Sequence, residues 1–147
     1  MIFVSGYSLL PVPPASTIPF MVLMIEYRVA VKLYNWSQIP EEQLNDLVAR
    51  QMIHGETMTI ARIHLRKGAV VPLHQHPNEQ ISMVEHGRLR FVIAGQEQIV
   101  QGGDMVAIPP HAPHLVEALE DSLATDLFSP IREDWIRGDD AYLRGRK

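Results

Sequence analysis

Cysteine is absent from this chain of 147 residues, so disulfides, thiolate metal sites and cysteine nucleophiles are excluded. Any metal held here must take imidazole, carboxylate or amide ligands. A surplus of positive charge is also missing. The formal net charge is −4, which removes a general attraction for nucleic acid or an anionic membrane and leaves any anionic ligand to individual Arg or Lys side chains. Long apolar runs are missing too. The opening segment, MIFVSGYSLLPVPPASTIPFMVLM, is apolar, but Pro11, Pro13, Pro14 and Pro19 interrupt it and it carries no Lys or Arg. A signal peptide needs a basic start, and a membrane helix needs roughly 20 uninterrupted apolar residues. Residues 1–24 are therefore expected to be a disordered or strand-like extension, with Met21 or Met24 as alternative first residues. Residues 25–147 are expected to form a single cytoplasmic domain.

What is present is an ordinary soluble composition, 46% apolar and 20% charged, in a chain long enough to bury a real core. Period-two alternation, the mark of half-buried strands, runs through Glu26–Trp36, Met58–Leu65, Gln80–Gly87, Arg88–Val100 and Ser122–Pro130. Ala94–Glu97 carries a hairpin signal through Gly95. Pro109, Pro110 and Pro113 cannot lie in a central strand and predict a loop at a sheet rim. Only Pro40–Gln51 reads as a helix, with Pro40 near its first turn. Many short strands with Gly/Pro turns predict an all-β sandwich or barrel. The polar tail from Arg132 places Trp135 and Tyr142 as anchors on the outside of that barrel.

Against this background two histidines stand out. On an extended segment His74 and His76 point the same way, roughly 6.6 Å apart along the strand, and imidazoles lean inward enough to share one ion. Gln80 has the same parity and Glu79 the opposite one, which favours Gln80 as a further ligand through its amide oxygen, although a loop at Pro77-Asn78 can reset the register. His114, in the Pro-rich stretch IPPHAPH, is where a non-local ligand would come from, with His111 its competitor. The bland alternative, a pair of satisfied polar residues, competes with any His-x-His taken alone. Asp126 and Phe128 share one face of the Ser122–Pro130 run. An acid beside an aromatic suits a pocket wall, or else a solvent-facing strand with an Asp126–Arg132 ion pair worth little. His54, His64 and His86 read as strand-face or turn residues.

The spacing Gly68, His74, His76, Gln80, Gly87 resembles the first motif of the cupins, and Gly103, Pro109, His114 resembles the second. The resemblance implies a cupin-type double-stranded β-helix, an all-β jelly-roll barrel, with a divalent metal ion inside on His74, His76, Gln80 and His114. The first motif usually has Glu where Gln80 stands, and the second a later glycine where His111 stands. Histidine tolerates left-handed turns better than most residues, so His111 is expected to make the turn.

Within the cupins, the wording LATDLFSPIREDW from Leu123 to Trp135, with HPNEQ and GDMVAIPP, resembles the KdgF-type proteins of pectin and alginate breakdown. That resemblance implies conversion of 4,5-unsaturated monouronates to linear keto-deoxyuronates, with Asp126, Phe128 and Arg132 as active residues. The ion would be Zn, Ni, Fe or Mn, the ligand an anionic sugar acid, and the assembly a homodimer, with neither nucleic acid nor membrane as partner. Another cupin enzyme, a dioxygenase or cyclase, and a non-catalytic binding barrel are the rival readings. Three histidines and a neutral glutamine leave the ion its full charge, which tilts the balance from oxygen activation towards Lewis-acid chemistry.

Overall fold

Thr59–Leu65 (β3) shows how alternation builds this molecule: Thr59, Ala61, Ile63 and Leu65 are buried, while the residues between them are half-buried. The computed structural model describes residues 30–145. The strands before β3 are Glu42–Asn45 (β1) and Val48–His54 (β2). After it come Val70–His74 (β4), Glu79–His86 (β5), Arg88–Ile93 (β6), Gln96–Gln101 (β7), Met105–Ile108 (β8), His114–Ala118 (β9) and Ser122–Ser129 (β10). A short helix, Glu133–Arg137 (α1), follows.

The strands form a six-stranded sheet in the order β1-β2-β3-β10-β5-β8 and a four-stranded sheet in the order β4-β9-β6-β7. Every pairing is antiparallel. The inward faces contribute Val48, Ile63, Leu65, Leu89, Phe91 and Val116 to one apolar core. Strands β8 and β9 lie in different sheets, so the Pro109–Pro113 stretch is a rim connection, as the prolines require. Ala94 and Gly95 both take positive φ (48° and 81°) between the paired Ile93 and Gln96, the conformation of a two-residue hairpin turn.

Three expectations need correction. Pro40–Gln51 is not a helix but the β1–β2 hairpin. The Asn45 side chain accepts the Leu47 N–H at 2.9 Å and turns the chain, and β2 then pairs with β3 along its whole length. Glu26–Trp36 is not a strand in its described part: residues 30–35 have no regular structure, and Trp36–Gln38 is a 3-10 turn. The remainder of that run and the extension over residues 1–24 lie outside the described residues. Trp135 and Tyr142 are not outside anchors, since Trp135 is buried in the core and Tyr142 packs against it. Among the described residues no helix is long and apolar enough to cross a membrane.

The segment after β10 is fastened by charge. Arg50 and Asp140, each 1% exposed, pair at 2.8 Å, and Arg50 also reaches Glu42 at 2.8 Å. Arg144 binds both Asp140 and Glu42. The Arg144 hydrogen bond holds the Glu42 carboxyl below its ordinary value. At Asp140 burial pushes upward, but the hydrogen bonds from Arg144 and Arg50 outweigh it. With folded values below the unfolded ones of about 4, the stabilisation is complete above that range and is lost as pH falls through the folded values. Melting temperature should therefore drop steeply below about pH 4. Asp140→Ala, which leaves Arg50 short of a buried partner, should cost about 3 kcal/mol, or about 10 °C at neutral pH, and should flatten the acid limb of a melting series followed by circular dichroism.

Gly87 joins β5 to β6 with φ of 83°. A Cβ there would overlap Ser122 Oγ and the Asp121 carbonyl and lie 2.7 Å from Ser122 Cα. Backbone on the β10 side cannot yield cheaply, so Gly87→Ala should lower stability by more than about 2 kcal/mol, read from a urea midpoint.

Candidate metal centre and ligand cavity

His74 ends β4, His114 begins β9, and the two are direct cross-strand partners with ring centroids 4.2 Å apart. His76 follows in the loop that carries the chain from the four-stranded to the six-stranded sheet. Its ring lies 5.8 Å from that of His74 and 5.1 Å from that of His114. The candidate ligand nitrogens of the three fall within 4.8 Å of one another.

The main chain sets how these rings are presented. Nδ1 of His74 donates to the Pro72 carbonyl (2.8 Å), Nδ1 of His76 to the Asn78 carbonyl (3.1 Å) and Nδ1 of His114 to the Ala112 carbonyl (2.8 Å). A carbonyl only accepts, so each Nδ1 carries the proton and each Nε2 is left as a lone pair. Burial pushes both His74 and His76 down to about 4. The neighbouring His114 adds to this at His74 and the Arg132 charge at His76. Burial also lowers His114. All three rings are thus neutral at pH 7 and ready to ligate without losing a proton.

Gln80 faces inward on β5, buried, whereas Glu79 faces out. Its Oε1 lies 3.0 Å from Nε2 of His76, and its amide nitrogen donates to Ser82 Oγ at 2.8 Å. The neutral His76 ring has one N–H for two acceptors, the Asn78 carbonyl and Gln80 Oε1, so one of these contacts sets two lone pairs against each other, an arrangement that a cation on Nε2 and Oε1 would relieve. Nε2 of His114 is buried with no partner. Both features fit a divalent cation, which three histidines this close could bind. His111 stands apart, exposed, with φ of 61°; its N–H donates to the His76 carbonyl at 2.8 Å, so it makes the turn that steadies the neighbouring ligand loop.

The remaining site residues come from β10 and the segment after it. Asp126 lies across from Ser82 in register. Burial pushes its carboxyl up to about 6, against the pull of Ser82, Arg132 and Gln80, and Oδ1 is buried without a partner. Phe128, 2% exposed, packs edge-on to His76 at 5.5 Å and to Trp135 at 5.0 Å. Arg132 is buried, with its guanidinium 4.0 Å from the Trp135 ring centre and 4.8 Å from that of Phe128. The Asp126–Arg132 ion pair of the alternative, solvent-facing reading does not form. Arg132 holds Asp134 instead, through Nε at 2.9 Å and Nη2 at 2.7 Å.

His74, His114, Gln80, Ser82, Asp126, Phe128, Arg132 and Tyr142 all line one cavity of about 50 Å³. Ser82 and Tyr142 were not foreseen. Ser82 shares the parity of Gln80, a signal that was available. Tyr142 reaches the cavity only because the chain folds back after α1, which no local pattern announces. His54, His64 and His86 do not line this cavity.

The two antiparallel sheets, closed over a histidine cluster, form a jelly-roll barrel of the cupin fold. Residues 61–129 match the family model described as Cupin domain, a span that holds His74, His76, Gln80, His114, Asp126 and Phe128. KdgF from Halomonas sp. is similar at 28% identity, over 72% of this chain and 99% of that one, with a TM-score of 0.68. An RmlC-like cupin from Shewanella frigidimarina is similar at 27% identity, over 72% and 96%, with a TM-score of 0.68. Oxalate decarboxylase from Bacillus subtilis, studied for its Mn(II) centres, shares 21% identity over 66% of this chain and 29% of that one, with a TM-score of 0.60; that likeness shows the fold alone. No curated protein matches the chain in sequence.

Proposed function

We propose that this protein converts 4,5-unsaturated monouronates to linear keto-deoxyuronates. The observation that carries the reading is the enclosure of the Asp126 carboxyl, with one oxygen unpaired, in the same cavity as His74, His114, Gln80 and the Arg132 guanidinium. The likeness to KdgF, which spans nearly all of that chain, supports it.

His74, His76, Gln80 and His114 would hold the divalent ion, Zn, Ni, Fe or Mn, which supplies Lewis acidity towards a sugar oxygen when bound. Arg132 binds the substrate carboxylate. Its Nη1 has no hydrogen-bond partner among the described residues, and Asp134 fixes the plane of the guanidinium. Asp126 moves the proton, and a carboxyl near 6 both accepts and returns one close to neutral pH. Phe128 and Trp135 keep bulk water from the carboxyl. The reaction is an isomerisation. The bond between the anomeric carbon and the ring oxygen breaks, the anomeric hydroxyl gives up its proton to leave an aldehyde, and the ring oxygen becomes an enol. A proton then joins the alkene carbon as the enol becomes a ketone, so no co-reactant is needed.

The test follows loss of ultraviolet absorbance from lyase-generated unsaturated galacturonate. Metal-loaded wild type should remove it far faster than the spontaneous rate, and chelator-stripped protein should not. No acceleration with metal demonstrably bound would rule out the galacturonate-derived substrate, and the alginate-derived sugar would be tried next.

A homodimer belongs to the same reading. Ile53, Ile60, Leu127, Ile81 and Ala107 lie in register across β2, β3, β10, β5 and β8, on the face opposite Gln80 and Ser82. Ile81 is 40% exposed there and Met105 67%. Sedimentation should give twice the chain mass, and Ile81→Glu should give the monomer.

A further inference from the structure

Tyr142, like Ser82, belongs to the cavity wall and is used by neither the motifs nor the reaction above. Its ring stacks on His74 with centroids 4.5 Å apart and an interplanar angle of 26°. Its hydroxyl oxygen accepts from Arg132 Nη2 at 2.9 Å and, more weakly, from Trp135 Nε1 at 3.4 Å. Guanidinium and indole nitrogens only donate, so neither can take the hydroxyl hydrogen. With both lone pairs occupied, that hydrogen is the one free valence of the group, and it has no acceptor among the described residues. The side chain is half-buried and borders the cavity beside Arg132 and Asp126. The free O–H is therefore available to what the cavity holds.

We propose that Tyr142 is a specificity-determining residue, its hydroxyl donating to a carboxylate oxygen of the ligand alongside Arg132. The proposal rests on the sugar-acid reading and deepens it. A neutral sugar would still meet the same O–H, but it would lack the paired oxygens that two adjacent donors suit. A ligand presenting only donors to this wall would be rejected, because two N–H groups already face the same hydroxyl.

The test pairs calorimetric titration of saturated galacturonate into metal-loaded protein with turnover of unsaturated galacturonate. Tyr142→Phe keeps the ring on His74 and deletes only the hydroxyl. Affinity for galacturonate should fall about tenfold and KM should rise by a similar factor, which corresponds to about 1.4 kcal/mol, while kcat changes little. Arg132→Met with and without Tyr142→Phe separates a direct contact from one acting through the guanidinium. A further loss of affinity on removing the hydroxyl in the Arg132→Met background supports direct donation. No further loss overturns it and leaves a positioning role. Near-ultraviolet circular dichroism checks that each variant is folded, and Tyr142→His replaces any that is not. Binding without turnover in wild type would rule out the galacturonate-derived substrate for the linearising reaction and leave Tyr142 standing. Turnover with Tyr142→Phe unchanged in KM would do the reverse. Neither binding nor turnover would overturn both.

Discussion

His114→Ala is expected to reduce turnover by about a thousandfold or more. Losing one of three rings that face a common point forfeits several kcal/mol of Lewis-acid stabilisation, at 1.36 kcal/mol for each tenfold in rate. A second readout needs no substrate. A metal that binds the folded state alone raises the melting temperature in step with its affinity, so wild type should gain several degrees on addition of Zn or Ni, and His114→Ala little or nothing. The metal-free variant should itself lose some stability, because the substitution also removes a buried ring and its Nδ1 hydrogen bond to the Ala112 carbonyl, so the comparison that counts is the rise each protein shows on adding metal. An equal rise in both proteins would mean that the histidine cluster is not where the ion sits.

Asp126→Asn should lower kcat by about 10²–10⁴-fold and at the same time stabilise the metal-free protein. The wild-type carboxyl is held at about 6 by burial, above its unfolded value, so ionised Asp126 works against folding at pH 8. Removing that cost should raise stability by about 3 kcal/mol at pH 8. The sign follows from linkage: a raised folded value costs nothing below the unfolded pKa and its full amount above the folded one. The gap in melting temperature between variant and wild type should therefore close as pH falls from about 6 to about 4. A slower but less stable variant would instead make Asp126 a structural acid. The two predicted effects of opposite sign, on rate and on stability, are what separate a proton carrier from a packing residue.

How much of this could be read beforehand depends on how local the cause is. The inward face shared by Gln80 and Ser82, the hairpin at Ala94-Gly95 and the rim loop at the prolines each follow from a few neighbouring residues, and each lies where the pattern puts it. The β1–β2 hairpin was misread because pairing with β3, whose partners lie 5 to 17 residues away, overrides a short stretch that also suits a helix. Asn45-Asp46 was the available warning. The positions of Trp135 and Tyr142 had no local signal. They depend on Asp140 meeting Arg50, 90 residues earlier, and on Arg132 choosing Asp134 over Asp126. The disposition of the three histidines could be anticipated from spacing, but their shared use of Nδ1 on main-chain carbonyls could not, since side-chain identity says nothing of which nitrogen faces inward.

That arrangement separates two kinds of inheritance. In many metal sites the second layer of contacts is made by side chains, and a substitution there can swing a ligand out of line. Here the anchors are the carbonyls of Pro72, Asn78 and Ala112, which every amino acid possesses. The orientation of the rings is thus carried by the path of the chain, and the residues around them are free to diverge. A barrel of this shape can change what it binds or transforms by altering Asp126, Arg132 or Tyr142 without having to rediscover how to point three imidazoles at one place.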